Sequence, residues 1–228
     1  NTVNNTTSGT AIAGATSSTY TPPTNTVGTF YYYCVITTPV SGCSVTSAIS
    51  SVIVTPAPTF TTQPAAGNVC VGGATNPMCV TYTNGTGTPS YQWYSNTVNS
   101  TISGTSISGA TTNCYTPPST NVGTTYYYAV ISLTGGGCSS ITSNTSALVI
   151  TPDPVIATQP TSPQTICVGG SSTSISIALQ ANSGIGAFSY QWFSNTTASN
   201  LGGTMIPNAT LATYTPPVFN TEGTFYYY

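Results

Sequence analysis

The chain has 228 residues, no Lys, Arg or His, and two acids, Asp153 and Glu222, so 1% of it is charged where ordinary soluble domains carry roughly a quarter. That excludes nucleic-acid binding by counterion displacement and polybasic membrane anchoring, and it strips general acid–base catalysis of its usual groups, the two carboxylates lying 69 positions apart. A content of 39% hydrophobic and 11% aromatic residues, with 16 Tyr, is nevertheless enough to build a core.

In chain order, Asn1–Thr10 is polar and uncharged and does not read as a signal peptide. No apolar run approaches the roughly 18 residues of a membrane helix. Tyr20-Thr-Pro-Pro23 and Gly28-Thr-Phe-Tyr-Tyr-Tyr33 follow, and they open a repeat. The first returns at Tyr115 and Tyr214, at spacings of 95 and 99. The second returns as Gly123–Tyr128 and Gly223–Tyr228. Cys70-Val-Gly-Gly73 returns at Cys167, and Tyr91-Gln-Trp-Tyr-Ser-Asn96 at Tyr190. Asn1 matches Asn96 and Tyr228 matches Tyr128. The expected division is therefore a partial repeat over 1–58 without its opening strands, a whole repeat over 59–154, and a partial repeat over 155–228 without its closing strand. The segment Asn195–Tyr228 duplicates Asn1–Tyr33, so the two partial repeats do not simply complete each other. The Pro-containing connectors Thr55–Pro58 and Thr151–Pro154 are stiffer than Gly/Ser linkers and predict a rod.

Nothing reads as a helix. Spread through the chain are 22 Gly and 17 Pro, between stretches rich in Thr, Val, Ile and Tyr, which are strand formers. In the whole repeat, strands are expected near Val69–Val71, Met78–Thr83, Ser90–Ser95, Ser106–Ser108, Asn113–Thr116, Thr125–Ser132 and Ser146–Thr151. Seven short strands in one repeat predict an all-β, tandem immunoglobulin-like sandwich. Trp93 and its counterpart Trp192 are the expected core tryptophans. Tyr126 and Tyr128 are expected core residues of the sixth strand, one or two of the Tyr triplet packing inward. A tyrosine hydroxyl there is expected to tie back to the backbone. Alternation along Ile175, Ile177 and Leu179 turns one face of the second strand inward.

The seven Cys suggest an oxidising, extracytoplasmic setting. Cys70 and Cys138 recur, as Cys167 and Cys43, and are expected to pair. Cys79 and Cys114 occur only in the middle repeat and form a candidate second bridge, with Cys79 aligned to Ile177. Cys34, Cys43 and Cys167 are left without assigned partners. A metal site is not expected, because no closely spaced ligand pair such as C-x2-C exists. Nucleophilic Cys, Ser or Thr lacks a neighbouring base. Cys-Val-Gly-Gly lacks the Lys-Ser/Thr ending of a phosphate loop. Asp153 sits between two prolines and Glu222 in a turn, too few carboxylates for calcium. Asn-x-Ser/Thr sequons begin at Asn4, Asn5, Asn84, Asn99, Asn144, Asn195 and Asn208, as expected of a chain this rich in Asn and Thr. Neither a catalytic residue nor a cofactor is expected.

Tyr-Gln-Trp-Tyr-Ser-Asn, Ile107-Ser-Gly-Ala-Thr111, Tyr-Thr-Pro-Pro, Gly-Thr-x-Tyr-Tyr-Tyr, Gly137-Cys138 and Cys-Val-Gly-Gly, taken as a set, resemble the Ig-like repeats of giant cell-surface adhesins of Bacteroidota, of the SprB-type gliding-motility kind. The resemblance runs over essentially the whole chain. It implies export by the type IX secretion system, a location outside the cell on its surface, and a long filament. The implied partners are external surfaces or polysaccharide, and the secretion and motility machinery of the parent protein. Three other readings stand beside the adhesive stalk: a carbohydrate-binding module, a spacer of a secreted enzyme, and a self-assembling filament subunit. Exposure of Trp93 and Trp192 separates the carbohydrate reading from the stalk.

Overall fold

Thr, Val, Ile and Tyr held between Gly and Pro turns form strands throughout. The computed structural model describes residues 1–184 and 186–228, and among the described residues there is no helix. The first repeat contributes β1 (Gly28–Tyr32), β2 (Val35–Thr37), β3 (Ser44–Thr46) and β4 (Ser50–Val54). The middle repeat contributes β5 (Thr59–Thr62), β6 (Gly67–Cys70), β7 (Met78–Cys79), β8 (Thr81–Thr83), β9 (Thr88–Asn96), β10 (Thr105–Ser106), β11 (Cys114–Tyr115), β12 (Gly123–Thr134), β13 (Ile141–Thr142) and β14 (Ser146–Thr151). The third contributes β15 (Ile156–Thr158), β16 (Ile175–Ser176), β17 (Ala178–Leu179), β18 (Phe193–Asn195), β19 (Thr204–Met205), β20 (Thr213–Tyr214) and β21 (Tyr226–Tyr227).

Contacts gather these strands into two compact units. One comprises 1–65, 77–115 and 126–146, and the other 66–76, 116–125 and 147–228. In the first unit β1 pairs antiparallel with β4, and β2 with β3. β5 pairs with β8, and β7 with β11. β9 lies between β10 and β12, its ladder with β12 running without a break from Tyr126 opposite Asn96 to Thr134 opposite Thr88. Trp93, Val80, Met78, Ala129, Ile131, Leu133, Tyr127 and Ala110 form its core. Strand alternation explains the choice: Tyr127, Ala129, Ile131 and Leu133 share one face of β12, the face on which Trp93 sits opposite Ala129.

In the second unit the same pairings recur. β15 pairs with β17 and β16 with β20, and β18 lies between β19 and β21. There β14 pairs in parallel with β6, Thr151 opposite Cys70. Leu148, Ile150, Ile175, Trp192 and Pro117 are buried in this unit. The chain is an all-β protein of tandem immunoglobulin-like sandwich repeats.

The observed strands differ from expectation in detail. The second strand of the middle repeat is interrupted at Val80, whose N–H donates to Asn113 O at 2.9 Å. Ile177 does the same to Ala212 O at 3.0 Å. The structural counterpart of Ile177 is thus Val80, not Cys79, and Cys79 corresponds to Ser176. Two strands escape the sequence pattern, Thr59–Thr62 and Ile141–Thr142, because each is too short to show a period.

Candidate functional site

The conspicuous side chains of the repeated motifs are engaged inside the fold. Trp93 is 0% exposed and Trp192 3%. Their indole Nε1–H groups donate to the carbonyls of Thr112 and Leu211, at 2.9 and 2.8 Å. The preceding glutamine clamps the same loop in both repeats. Gln92 Nε2 donates to Trp93 O and Ile107 O, and Gln191 Nε2 to Trp192 O and Ile206 O. The closing asparagine shapes the next turn: Asn96 Nδ2 donates to Ser100 O and Ile102 O, Asn195 Nδ2 to Ser199 O and Leu201 O. A buried polar side chain must find such partners or cost its desolvation. Burial of both tryptophans removes the best stacking platforms a sugar ring would use.

The Tyr triplet divides by strand alternation. Tyr127 is buried on the Trp93 side, its ring 5.7 Å from Tyr115, which in turn lies 6.0 Å from Trp93. Tyr128, also buried, faces the other way and stacks on Tyr94 at 5.1 Å. Tyr126, expected in the core, is half-buried. The expected tie of a tyrosine hydroxyl to the backbone exists, and its partner lies in the loop after β9. Gly104 N–H donates to Tyr128, and Gly203 N–H to Tyr228 Oη at 3.1 Å. Phe193 stacks on Tyr228 at 5.4 Å as Tyr94 does on Tyr128. A Cβ on Gly104 or Gly203 would stand 2.5 or 2.6 Å from that hydroxyl oxygen, so only glycine permits the approach. This latch was missed from sequence, although a glycine 24 residues before the third Tyr in the first two repeats, and 25 in the last, was there to be seen. Burial pushes the Tyr128, Tyr115, Tyr91, Tyr214 and Tyr227 phenols up from their ordinary value.

Cys-Val-Gly-Gly is a turn. Gly73 N–H donates to Cys70 O and Gly170 N–H to Cys167 O, both at 2.9 Å, with Gly72 and Gly169 at φ +74° and +80°. That geometry needs glycine at the third position. The N–H groups of Gly72 and Gly169 donate to Ser119 O and Phe219 O, so these turn donors are not free to form an anion nest.

The cysteines correct the expected pairing. Cys79 and Cys114 are bonded to each other, facing across the β7–β11 ladder. Cys70 and Cys138 are free thiols, as are Cys34, Cys43 and Cys167. Recurrence of a position in the repeat reports its place in the fold and not its partner. Cys70 lies against Thr151 of β14, whereas Cys138 lies against Thr86 and Thr55. The Thr86 N–H, the Thr86 hydroxyl and the Thr55 hydroxyl converge on the Cys138 sulfur and lower its thiol below the ordinary value. Asp153 and Glu222 are both exposed. Among the described residues no three His, Cys, Asp or Glu gather as metal ligands. A shallow depression lined by Pro207, Asn208, Leu211 and Tyr214 brings together no ionisable group except that half-buried phenol.

Residues 60–152 match a family model described as a domain of unknown function (DUF8696). No curated protein matches the chain. Among solved structures the chain is similar to Sidekick-1 immunoglobulin domains 1–5, at 16% identity, TM-score 0.37, over 75% of this chain and 36% of that one. It is also similar to Sidekick-1 immunoglobulin domains 1–4, at 16% identity, TM-score 0.39, over 75% and 45%. The chain thus spans less than half the length of either structure.

Proposed function

We propose that the chain is a non-catalytic repeat segment of a long cell-surface adhesin filament, extending from the cell and contributing to surface attachment. One observation carries this reading: the residues that define the repeat are used up in packing it. Trp, Gln, Asn, the latch Gly–Tyr pair and the Cys-Val-Gly-Gly turn make equivalent internal bonds in successive repeats. What remains outside carries almost no charge: Thr, Ser and Asn, interspersed with exposed apolar residues such as Val40, Ile102 and Leu201. Such a repeat multiplies length, and its uncharged surface makes contacts that salt does not screen. Resemblance to gliding-motility adhesins supports the finer reading, in which the filament is exported by type IX secretion in a Bacteroidota cell and moves along substrata or polysaccharide.

Beads coated with the chain and pulled from glass, agar and cell-wall polysaccharide test the adhesive part. The control is an unrelated sandwich array of equal length. Detachment force above the control on at least one surface is expected. Force equal to the control on all three would sink the gripping role and leave only extension.

A further inference from the structure

The middle and third repeats share a ladder but not a cross-link. Cys79 and Cys114 face each other across β7 and β11 and are bonded. In the third repeat Ser176 faces Thr213 across β16 and β20, where no covalent link can form. The bond is thus added to a frame that closes without it, and its place in the chain decides what it does. It closes a loop with a sequence separation of 35. Inside that loop lie β8, β9 and β10, with Gln92, Trp93 and Asn96. Outside it lie β5 and β6 on one side and β12, β13 and β14 on the other. The connectors Thr55–Pro58 and Thr151–Pro154 are both outside as well. A pull that enters by one connector and leaves by the other straightens only what lies outside the loop. From Cys79 to Cys114 the covalent path runs through the two sulfur atoms, between Cα atoms 4.1 Å apart.

We infer that the Cys79–Cys114 bond is a redox-set stop on how far the middle repeat extends under tension. Oxidised, the repeat yields its outer strands and keeps β8, β9 and β10 in a closed loop. Reduced, it yields whole. The switch is thrown by an external dithiol. A thiolate of the dithiol attacks one cysteine sulfur, the S–S bond breaks, and the departing cysteine thiolate takes up a proton. The second thiol of the dithiol then displaces the other cysteine. Two electrons pass from the dithiol, which leaves as a cyclic disulfide, and two cysteine thiols remain. An extended chain spans at most about 3.3–3.6 Å per residue, so the bond hides about 115 Å of chain. The third repeat, with Ser176 and Thr213 at the same ladder, has no such stop. The inference rests on the place of the bond in the chain and not on the adhesive reading.

The test stretches the 228-residue chain by tags at its two ends in a single-molecule force instrument, with and without dithiothreitol. Full extension is expected to be about 115 Å longer with the dithiol than without it. C79S/C114S is expected to reach the longer value in both conditions. The variant C34S/C43S/C70S/C138S/C167S removes the five free thiols and is expected to keep the difference. The comparison on the unaltered chain stands whether or not either variant folds. Equal extension with and without the dithiol overturns the inference. So does a difference that persists in C79S/C114S. A difference of about 230 Å overturns it too, because that length belongs to a bond between Cys70 and Cys138, 68 positions apart.

Discussion

Trp93 shows how one side chain serves two needs. Its ring lies 6.0 Å from that of Tyr115 with Ala129 opposite it in the ladder, and its N–H finds Thr112 O. Trp93→Ala is expected to cost about 3–5 kcal/mol by cavity formation, measured as a fall in the urea midpoint. A loss under about 1 kcal/mol would mean that the core collapses into the gap. Tyr128→Phe asks a smaller question. It leaves the Gly104 N–H without its partner, an expected loss of about 0.5–1.5 kcal/mol. The tryptophans were legible in the sequence because a Trp inside an alternating strand has few other places to go. The work of Gln92, Asn96 and Gly104 was not. Their partners are backbone groups brought near by loops, and no side-chain pattern announces a carbonyl.

Strands of the middle repeat were legible where they were long. The Ser146–Thr151 strand appears with the expected bounds, and Gly123–Thr134 and Thr88–Asn96 extend the expected ones at both ends. Alternation over six or more residues leaves a readable period. Two- and four-residue strands do not, which is why Ile141–Thr142 and Thr59–Thr62 were missed. Cysteine pairing lies further out of reach. Cys70 and Cys138 recur because a turn and a loop recur, while Cys79 and Cys114 face each other across β7 and β11. The bond spans 35 residues. In the chain-entropy view, a loop of that length stabilises by about 3–4 kcal/mol through the unfolded state. The double variant C79S/C114S is therefore expected to unfold at lower urea by that margin, with the native far-ultraviolet spectrum kept. C70S/C138S is expected to leave stability within about 0.5 kcal/mol. A large loss from the second pair and none from the first would restore the pairing read from the repeat.

At the scale of the whole molecule, the absence of Lys, Arg and His decides how stability responds to pH. Only groups whose affinity for protons differs between folded and unfolded chains contribute a slope. Five phenols, Tyr128 buried and Tyr91, Tyr115, Tyr214 and Tyr227 half-buried, are raised from 10.0 chiefly by desolvation. A raised group keeps its stabilising share below the unfolded value and loses it as pH climbs through the folded one. Cys138 runs the other way, its thiol lowered from 9.0 by three hydrogen bonds. Its share is present above 9.0 and fades as pH falls through the lower folded value. Urea midpoints measured across the range are therefore expected to stay level from pH 4 to about 8 and to fall steeply above about 10, where the phenols ionise. C138S removes the small opposing trend below pH 9.0 and leaves the alkaline fall intact. A steep change between pH 4 and 8 is what a histidine would supply, and this sequence contains none, so such a change would overturn the argument from composition.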